Sequence, residues 1–545
     1  MKYIKEGTDA LMYDILIKNG TIVDGTGNPR FKADVAIKDS KVVKIAADIE
    51  GDAAEVIDAA GLIVSPGFID GHTHSDLSLV LGSDSWNHLE DGVTTQIAGQ
   101  CGTSPCPDSE LNSKIEVHEL DEAEAARVKA FCADPKTFMA EAQNALSGTN
   151  FAMYIGHGAL RSHAMGYSDA KPTEAEMDDI KQMLTMAMEE GFLGYSSGLV
   201  YAPSVYADTE ELIELAKVMQ PFNGVHTSHI RAEGDALIPS IKEVIRVGEE
   251  GGVQTVISHL KVMGNHNKGA SKTVLSLIEE ANERGAKIYA DQYPFIAGAA
   301  PLSSQIPPKY LVGGIPALLE RIKKPEIRQQ ILHSIFNETE EFESSIYTAG
   351  FEGALVTGSP KAPRYEGKTL AKIAEEEGKE PIDAYCDLLL ENEGMCSGIY
   401  FNQVEEDMMR IIAHPLITAG SDWSDVKEYK APDEPASGHP RGMATMVRRL
   451  ELVRNHGLRT LEDVVRSVTG LTAHSVGLAN QGILKEGRDA NITIFDYAGI
   501  RAHADFIYPF RKNEGIHMVI VNGTVAVRDG KALGTRAGKL LKRGE

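Results

Sequence analysis

The sequence has few cysteines and no long apolar run. Five cysteines stand in 545 residues, at positions 101, 106, 132, 386 and 396, and their odd number and irregular spacing give no disulfide framework. Such sparse use of cysteine fits a reducing compartment. No stretch reaches the roughly 18 apolar residues that a membrane-spanning helix needs. The start of the chain carries charges where a signal peptide needs an apolar core. We therefore expect a cytoplasmic protein with no membrane partner.

Basic residues are fewer than acidic ones. Lysine and arginine number 54 against 79 aspartate and glutamate residues, so the formal net charge is −25. A surface of that sign repels phosphate backbones, which argues against a nucleic-acid partner. The remaining composition, with 42% hydrophobic and 24% charged residues, is ordinary for a globular protein. The length predicts about two to four domains.

Both ends of the chain have the pattern of β-strands. The segments DILIKNGTIVDGTG (14–27) and MVIVNGTVAVRDGKAL (518–533) alternate apolar and polar residues around Asn-Gly. Because Asn-Gly accepts positive φ at low cost, each segment predicts a β-hairpin. We expect the two ends to pair in one small β-sandwich domain, formed by residues 1–64 and 481–545.

The middle of the chain alternates short apolar strands with amphipathic helices. Three of these strands are GVHTSHI (224–230), VQTVISHL (253–260) and AKIYADQYP (286–294). Strand, helix and strand at a spacing of about 30 residues indicate a parallel sheet. Eight such units can be counted, which predicts a (β/α)8 TIM barrel over residues 65–480. Two connections, near 103–150 and 295–413, are long enough to be functional insertions.

Residue types that bind metals stand at the carboxyl ends of five predicted strands. They are His72 and His74 after strand one, Cys101 after strand two, His229 in strand five, His259 in strand six and Asp422 after strand eight. Each alone has an ordinary explanation, as a buried histidine, a small core cysteine or a turn aspartate. In a (β/α)8 barrel, however, the active site forms at this end, and imidazole with thiolate suits zinc. Their shared placement predicts one metal site at the barrel mouth.

Three further polar residues have less specific roles. His157 and Arg161 end strand three, where they can orient a substrate or support the barrel. His226 precedes His229 by three residues, so the alternation of a strand turns it to the opposite face. We expect His226 to be structural.

Motifs distributed along the chain carry a resemblance to a known family. They are SPGFIDGHTHSD, AGQCG, IGHGALR, GYSSGLVYAPSVYADTEEL, SHIRAEGD, ISHLK, ADQYP, GSDW, HPRGMATMVRRL and VNGTVAVRDGK. Over nearly its whole length the chain resembles the N-acyl-D-amino-acid deacylases (D-aminoacylases) of the metal-dependent amidohydrolase superfamily. The resemblance implies a barrel flanked by a β-sandwich built from both chain ends. It also implies hydrolysis of the linear amide of an N-acyl-D-amino acid to a carboxylate and a free D-amino acid.

The resemblance further implies a set of metal ligands. A tightly held zinc would be bound by residues matching Cys101, His229 and His259, and a second, weaker site would use His72, His74 and Asp422. Many members of the superfamily bridge two metals with a carboxylated lysine on strand four. Here strand four reads GFLGYSSG and has no lysine, so the number of metals stays open.

The chemistry of amide hydrolysis suggests roles for other residues. Zinc activates water at neutral pH, and Asp422 is placed to act as general base and then as general acid. The α-carboxylate of the substrate needs a cation or hydrogen-bond donors, for which Lys261 is the first candidate and Tyr201 and Tyr293 are others. No arginine stands between DQYP and Lys309, where family members specific for acidic side chains place one. That absence argues against an N-acyl-D-glutamate or N-acyl-D-aspartate substrate.

Three other functions stay open on the sequence. The first is hydrolysis of cyclic amides, as in hydantoinases and dihydropyrimidinases, which the missing lysine opposes. The second is a non-catalytic scaffold of the same fold, which the six filled ligand positions oppose. The third is a zinc-dependent lactonase or phosphotriesterase, and fold alone excludes none of these. The acyl group, the side chain, the native metal and the oligomeric state are also open, and D over L selectivity rests on the resemblance.

Overall fold

Strands from both ends of the chain form one sheet. The computed structural model of the protein describes residues 12–111, 122–339, 342–427 and 436–545. Within these residues a nine-stranded sheet contains five strands of the amino-terminal part, Tyr13–Ile22, Phe31–Lys38, Lys41–Ala46, Ala53–Asp58 and Ile63–Pro66. Its other four strands are Ile492–Phe495, Ile516–Val521, Thr524–Arg528 and Lys531–Ala532. The two groups meet where Ser65 pairs with Thr493 in antiparallel register. The domain boundaries at 64 and 481 stay a prediction, and residues 1–11 lie outside the described part.

Of the two predicted hairpins, the one at Asn522-Gly523 forms and the one at Asn19-Gly20 was a wrong prediction. The first Asn-Gly lies inside the continuous strand Tyr13–Ile22, at a β-bulge. Asn19 has a φ of 63°, and its backbone N–H donates to Asp34 Oδ1 at 2.9 Å. A Cβ on Gly20 would lie 2.6 Å from Val64. This Asn-Gly therefore permits a bulge and a close approach of the next strand rather than a turn.

Eight parallel strands close into a barrel in the described part of the chain. In order they are Phe68–Asp70, Val93–Ala98, Asn150–Met153 continued by Ile155–Gly156, Gly194–Gly198, Val225–His229, Gln254–Ile257, Ile288–Gln292 and Ile417–Ala419. Each pairs in parallel with the next. The Gly71 N–H donates to the Ala419 oxygen at 3.0 Å, and the Asp422 N–H donates to the His72 oxygen at 2.8 Å. These bonds join the eighth strand to the first, and the predicted (β/α)8 fold is confirmed.

Helices cover the barrel and follow the local rules of the sequence. They are Asp76–Val80, Trp86–Glu90, Glu122–Phe131, Pro135–Ala142, His157–Met165, Glu174–Glu190, Thr209–Met219, Leu237–Gly251, Ser271–Glu283, Arg441–His456, Leu461–Ser467 and Gly470–Ser475. Asp208 caps the helix that follows it by accepting a hydrogen bond from the Glu211 N–H. The helix Leu237–Gly251 is terminated by the next residue, Gly252, which has a φ of 67°. None of the helices in the described residues has the length and apolar character needed to span a bilayer.

The long connection between strands seven and eight forms a unit with its own apolar core. It contains a three-stranded sheet of Gly298–Pro301, Ala354–Gly358 and Ser397–Tyr400. Its helices are Gly314–Ile322, Pro325–Asn337, Ser345–Ala349, Leu370–Glu377, Pro381–Glu391 and Glu405–Ile412. This unit, which we call the insertion, contributes side chains to the carboxyl end of the barrel.

Two of the polar residues considered from the sequence support the barrel wall. His157 Nε2 lies 2.9 Å from Glu211 Oε1, and Arg161 Nη1 lies 2.5 Å from Glu211 Oε2, with all three side chains buried. Burial opposes ionisation, yet His157 and Arg161 hold the pKa of Glu211 below its ordinary value. His226 is also buried and lies 3.0 Å from Ser197 Oγ, away from the predicted metal site. The contacts of Glu211 join the helices that follow strands three and four, and the contact of His226 joins strands four and five.

Replacement of Glu211 by Gln is expected to lower the free energy of unfolding by about 3 kcal/mol, because it leaves the buried Arg161 charge without a counterion. Urea unfolding followed by circular dichroism measures the change. The matched control is Glu210→Gln, since Glu210 is exposed and pairs with Arg246 at the surface, where an ion pair contributes less than about 1 kcal/mol. Equal effects of the two changes would contradict the buried role of Glu211.

Candidate metal centre

The six residues with metal-binding side chains converge at the carboxyl end of the barrel. Their donor atoms form two overlapping groups, in each of which all donors lie within 4.8 Å of one another. The first group is His72, His74, Cys101 and Asp422, and the second is Cys101, His229 and His259. All except His74 are buried. Five different barrel strands therefore supply one compact cluster, with Cys101 shared between its two halves.

Cys101 lies at the centre of the cluster. Its Sγ lies 3.3 Å from His72 Nε2, 3.4 Å from His259 Nε2 and 3.7 Å from His229 Nδ1. Asp422 Oδ1 lies 3.1 Å from His74 Nε2 and 3.5 Å from His72 Nε2. A single thiol hydrogen cannot satisfy three imidazole nitrogens, so hydrogen bonding alone does not account for this arrangement.

The other nitrogens of two imidazoles face carboxylates. His72 Nδ1 lies 3.3 Å from Asp291 Oδ2, and His259 Nδ1 lies 3.1 Å from Glu233 Oε1. When His72 Nδ1 donates its hydrogen to Asp291, the Nε2 lone pair of His72 points at Cys101 Sγ. His259 Nδ1 lies nearer to Lys261 Nζ, at 2.7 Å, than to Glu233. A lone pair that points at a thiolate is stable only with a proton or a metal cation between the two atoms. The orientation of the His72 ring thus fits a bound metal ion.

The chemistry of the donors fits zinc. When the imidazoles carry protons, His72 and His259 hold the pKa of the Cys101 thiol well below its ordinary value, although burial opposes its ionisation. The thiolate, which is the form that binds metal, is then available at neutral pH. A thiolate with imidazoles and one carboxylate in a buried cluster is a donor set that zinc prefers.

Replacement of Asp291 by Asn is expected to weaken zinc binding by about 10- to 100-fold, because the residue orients a ligand without touching the ion. Besides facing His72, Asp291 accepts a hydrogen bond from the backbone N–H of His259 at 2.8 Å. Competition with a chromophoric chelator measures the zinc affinity. Asp34→Asn is the control, since Asp34 is a buried aspartate of the nine-stranded sheet. An unchanged affinity in Asp291→Asn would contradict the orienting role.

Three residues of the cluster have strained backbones. The φ angles of Cys101, His259 and Asp422 are 54°, 35° and 56°. The left-handed region costs a non-glycine residue about 1–3 kcal/mol, and such residues concentrate at functional sites. In each case the left-handed backbone directs a side chain towards the cluster just after a barrel strand ends. The fold therefore stores strain where the donor atoms must meet.

An arginine that the sequence-based prediction missed contacts Asp422. Arg441 Nη1 lies 2.7 Å from Asp422 Oδ2, and the guanidinium carbon lies 4.7 Å from the centroid of the Tyr293 ring and 5.4 Å from that of Trp423. Burial opposes ionisation of Asp422, but Arg441, His259 and His74 hold the pKa of its carboxyl well below the ordinary value. Asp422 is therefore ionised at neutral pH. The only signal for Arg441 in the sequence was its place in the motif HPRGMATMVRRL.

The three predicted substrate-binding residues line one cavity beside the cluster. Lys261, Tyr201 and Tyr293 surround a space of about 60 Å³ together with Asp422. Lys261 Nζ lies 2.5 Å from Glu233 Oε1 and 5.6 Å from the centroid of the Tyr293 ring. Lys261 is thus already paired with a carboxylate, which the sequence did not reveal. Substrate binding by these residues stays a prediction.

A larger cavity lies at the opposite end of the barrel. It has a volume of about 870 Å³ and is lined by residues at the starts of strands five to seven, among them Val225, Gln254 and Lys287. Of the metal-binding residue types, the described residues that line it contain one histidine, His474, and one carboxylate, Glu249. Converging donor atoms rather than size therefore locate the candidate centre.

Comparison with known proteins agrees with this architecture. The chain matches the Amidohydrolase family over residues 55–280 and 360–527. It is 31% identical to a D-aminoacylase of Alcaligenes xylosoxydans xylosoxydans, over 98% of this chain and 99% of that protein. Among solved structures, it is similar to a D-aminoacylase with a TM-score of 0.81 and 31% identity, covering 97% of this chain and 100% of that one.

A second solved relative is described with a metal and an inhibitor. It is the N-acyl-D-glutamate deacylase of Bordetella bronchiseptica, complexed with zinc and a phosphonate that mimics the tetrahedral intermediate. Its TM-score is 0.79 and its identity is 31%, again over 97% of this chain and 100% of that one. From the barrel, the donor cluster and a match that spans most of its length, we conclude that the chain belongs to the amidohydrolase family.

Proposed function

We propose that the protein is a zinc-dependent hydrolase of N-acyl-D-amino acids, which releases a carboxylate and a free D-amino acid. The observation that carries the proposal is the cluster around Cys101, where metal-binding donors converge. Its ionised Asp422 lines a cavity together with Lys261 and pairs with Arg441. Similarity to deacylases over nearly the whole chain supports the same reaction. The preference for D substrates rests on that similarity.

The proposed ligands divide into two sets. Cys101, His229 and His259 would hold the tightly bound zinc, and His72, His74 and Asp422 would form a second, weaker site. When bound, zinc supplies a Lewis acid that polarises the amide carbonyl and makes water a better nucleophile near pH 7.

Asp422 moves the proton in the proposed mechanism. Its carboxylate is ionised in the resting protein, and Arg441 lies against one oxygen, Oδ2, so that Oδ1 faces the metal cluster. There Asp422 accepts a proton from the water that attacks the carbonyl carbon. It then donates that proton to the amide nitrogen, so the C–N bond breaks as a neutral amine leaves.

Other side chains of the cavity would position the substrate. Burial raises the pKa of Tyr201 well above its ordinary value, so its phenol stays protonated. As a donor next to the cluster it can stabilise the oxygen that gains charge during attack. Lys261 Nζ and the Arg441 guanidinium carbon lie 5.6 Å and 4.7 Å from the centroid of the Tyr293 ring. Two cations near one ring suit the α-carboxylate of an amino acid.

The proposal is tested by measuring amine release from paired N-acetyl-D- and N-acetyl-L-amino acids in the presence of zinc-loaded protein. We expect turnover confined to the D series, with a hydantoin series as the third arm. The Asp422→Asn protein, prepared in parallel, controls for contaminating aminoacylases. Turnover of hydantoins alone would replace the proposal with cyclic amide hydrolysis, and equal turnover of both enantiomers would remove the D preference.

A further inference from the structure

A second cavity adjoins the catalytic one on the side of strands four and five. Its volume is about 200 Å³, whereas the space beside the candidate metal centre is only about 60 Å³. Val200, directly after the fourth barrel strand, lines both spaces, which are therefore neighbours.

The lining of the second cavity combines six apolar residues with Tyr206 and three charged residues, Arg231, Lys309 and Glu338. Leu199, Val200 and Val205 come from the segment after strand four, and Pro307, Pro308 and Phe342 come from the insertion. An apolar lining at the edge of a catalytic site suits an apolar part of a ligand.

The polar groups of this lining are already bonded to the protein. The guanidinium of Arg231 donates to the Val205 oxygen at 2.9 Å and to Glu243 Oε2 at 3.0 Å. The Tyr206 hydroxyl donates to the Pro308 oxygen at 2.9 Å. Lys309 and Glu338 pair with each other, with Nζ 2.5 Å from Oε2, and both are partly exposed. A ligand here need not replace hydrogen bonds, and a polar ligand would be desolvated without compensation.

In the proposed orientation of the bound substrate, its acyl group faces this cavity. The cationic side chains that suit the α-carboxylate, Lys261 and Arg441, follow strands six and eight. The second cavity lies beside strands four and five, across the metal cluster from strand eight. If the α-carboxylate binds on the side of strand eight, near Arg441, the acyl half extends towards Val200 on the other side of the scissile bond.

We propose that the second cavity, hereafter the acyl cavity, binds the apolar chain of the N-acyl group, so that the preferred substrates carry medium-length acyl chains rather than acetyl. An apolar cavity of about 150 Å³ holds a benzene ring, so the acyl cavity accommodates chains of about six to eight carbons. This inference rests on the proposed deacylase function and adds the acyl class of its substrate.

A series of N-acyl derivatives of one D-amino acid tests the acyl cavity. With acetyl, butanoyl, hexanoyl, octanoyl and dodecanoyl groups, kcat/KM is expected to rise about threefold to fourfold for each buried methylene and to stop rising near octanoyl. Val205→Phe, which fills the cavity, is expected to move that limit to shorter chains, and Val205→Ala is expected to move it to longer ones. Val43→Phe is the control, because Val43 is exposed on the distant nine-stranded sheet.

The outcomes separate this inference from the proposed function. Turnover of the acetyl substrate with a flat chain-length profile overturns the acyl cavity and leaves the deacylase function standing. A rising profile that Val205→Phe leaves unchanged also overturns it, because the chain then binds elsewhere. No turnover of any N-acyl-D-amino acid by zinc-loaded protein overturns both.

Discussion

Replacement of Asp422 by Asn is expected to lower kcat by about 1,000-fold while zinc stays bound, because an amide can neither take a proton from water nor give one to the leaving nitrogen. The three proposed ligands of the tight site, Cys101, His229 and His259, are unchanged in this variant. Asparagine also tolerates the left-handed backbone that residue 422 adopts, with its φ of 56°. Steady-state kinetics and zinc content per chain measure the two halves of the prediction.

The matched control for this change is Asp407→Asn. Asp407 is also buried, and it accepts hydrogen bonds from the N–H groups of Gly269 and Ser271 outside the site. We expect the control to lose stability and to keep its kcat. Full activity of Asp422→Asn would exclude Asp422 as the proton-transfer group, whereas loss of zinc along with activity would assign it to metal binding alone.

Replacement of Cys101 by Ser is expected to abolish tight zinc binding and, with it, activity at limiting zinc. A serine hydroxyl is not ionised at neutral pH and is a harder ligand than a thiolate. Structural zinc sites contribute about 10–16 kcal/mol in all, so one ligand of the set corresponds to about 4 kcal/mol, or about 1,000-fold in affinity. Zinc retained after dialysis against a chelator measures the loss. The melting temperature should also become less sensitive to added zinc.

Cys106→Ser is the control for the cysteine substitution. Cys106 is fully buried five positions further on, and burial raises the pKa of its thiol well above the ordinary value. Its thiol therefore stays protonated and belongs to neither donor group. We expect this variant to keep its zinc and to lose only some stability. Equal zinc content in the two variants would contradict the central position of Cys101.

The donor residues could be predicted from the sequence because a parallel barrel brings the carboxyl ends of its strands together. Once the strands around His72, Cys101 and His259 are recognised, the geometry of the fold places them at one mouth. That inference needs only the order of strands and the types of residue at their ends. It does not need the path of any loop.

The partners of those residues depend on loop geometry and could not be predicted in the same way. Arg441 reaches Asp422 from the start of a helix, and Glu233 reaches Lys261 from the segment after strand five. A sequence pattern also did not distinguish the bulge at Asn19 from a hairpin, because both use a residue with positive φ. Such features are decided by which chain segment packs nearby.

The sheet shared by both chain ends bears on how the protein is made. Ser65 and its partner Thr493 are separated by 428 positions, and a ribosome that adds about 5–20 residues per second needs about 20 to 90 s to cover that distance. During this time the apolar strand Ile63–Pro66 lacks its neighbour and offers an open edge to other nascent chains. We therefore expect the yield of folded protein to rise when a chaperone that binds nascent chains is present during synthesis.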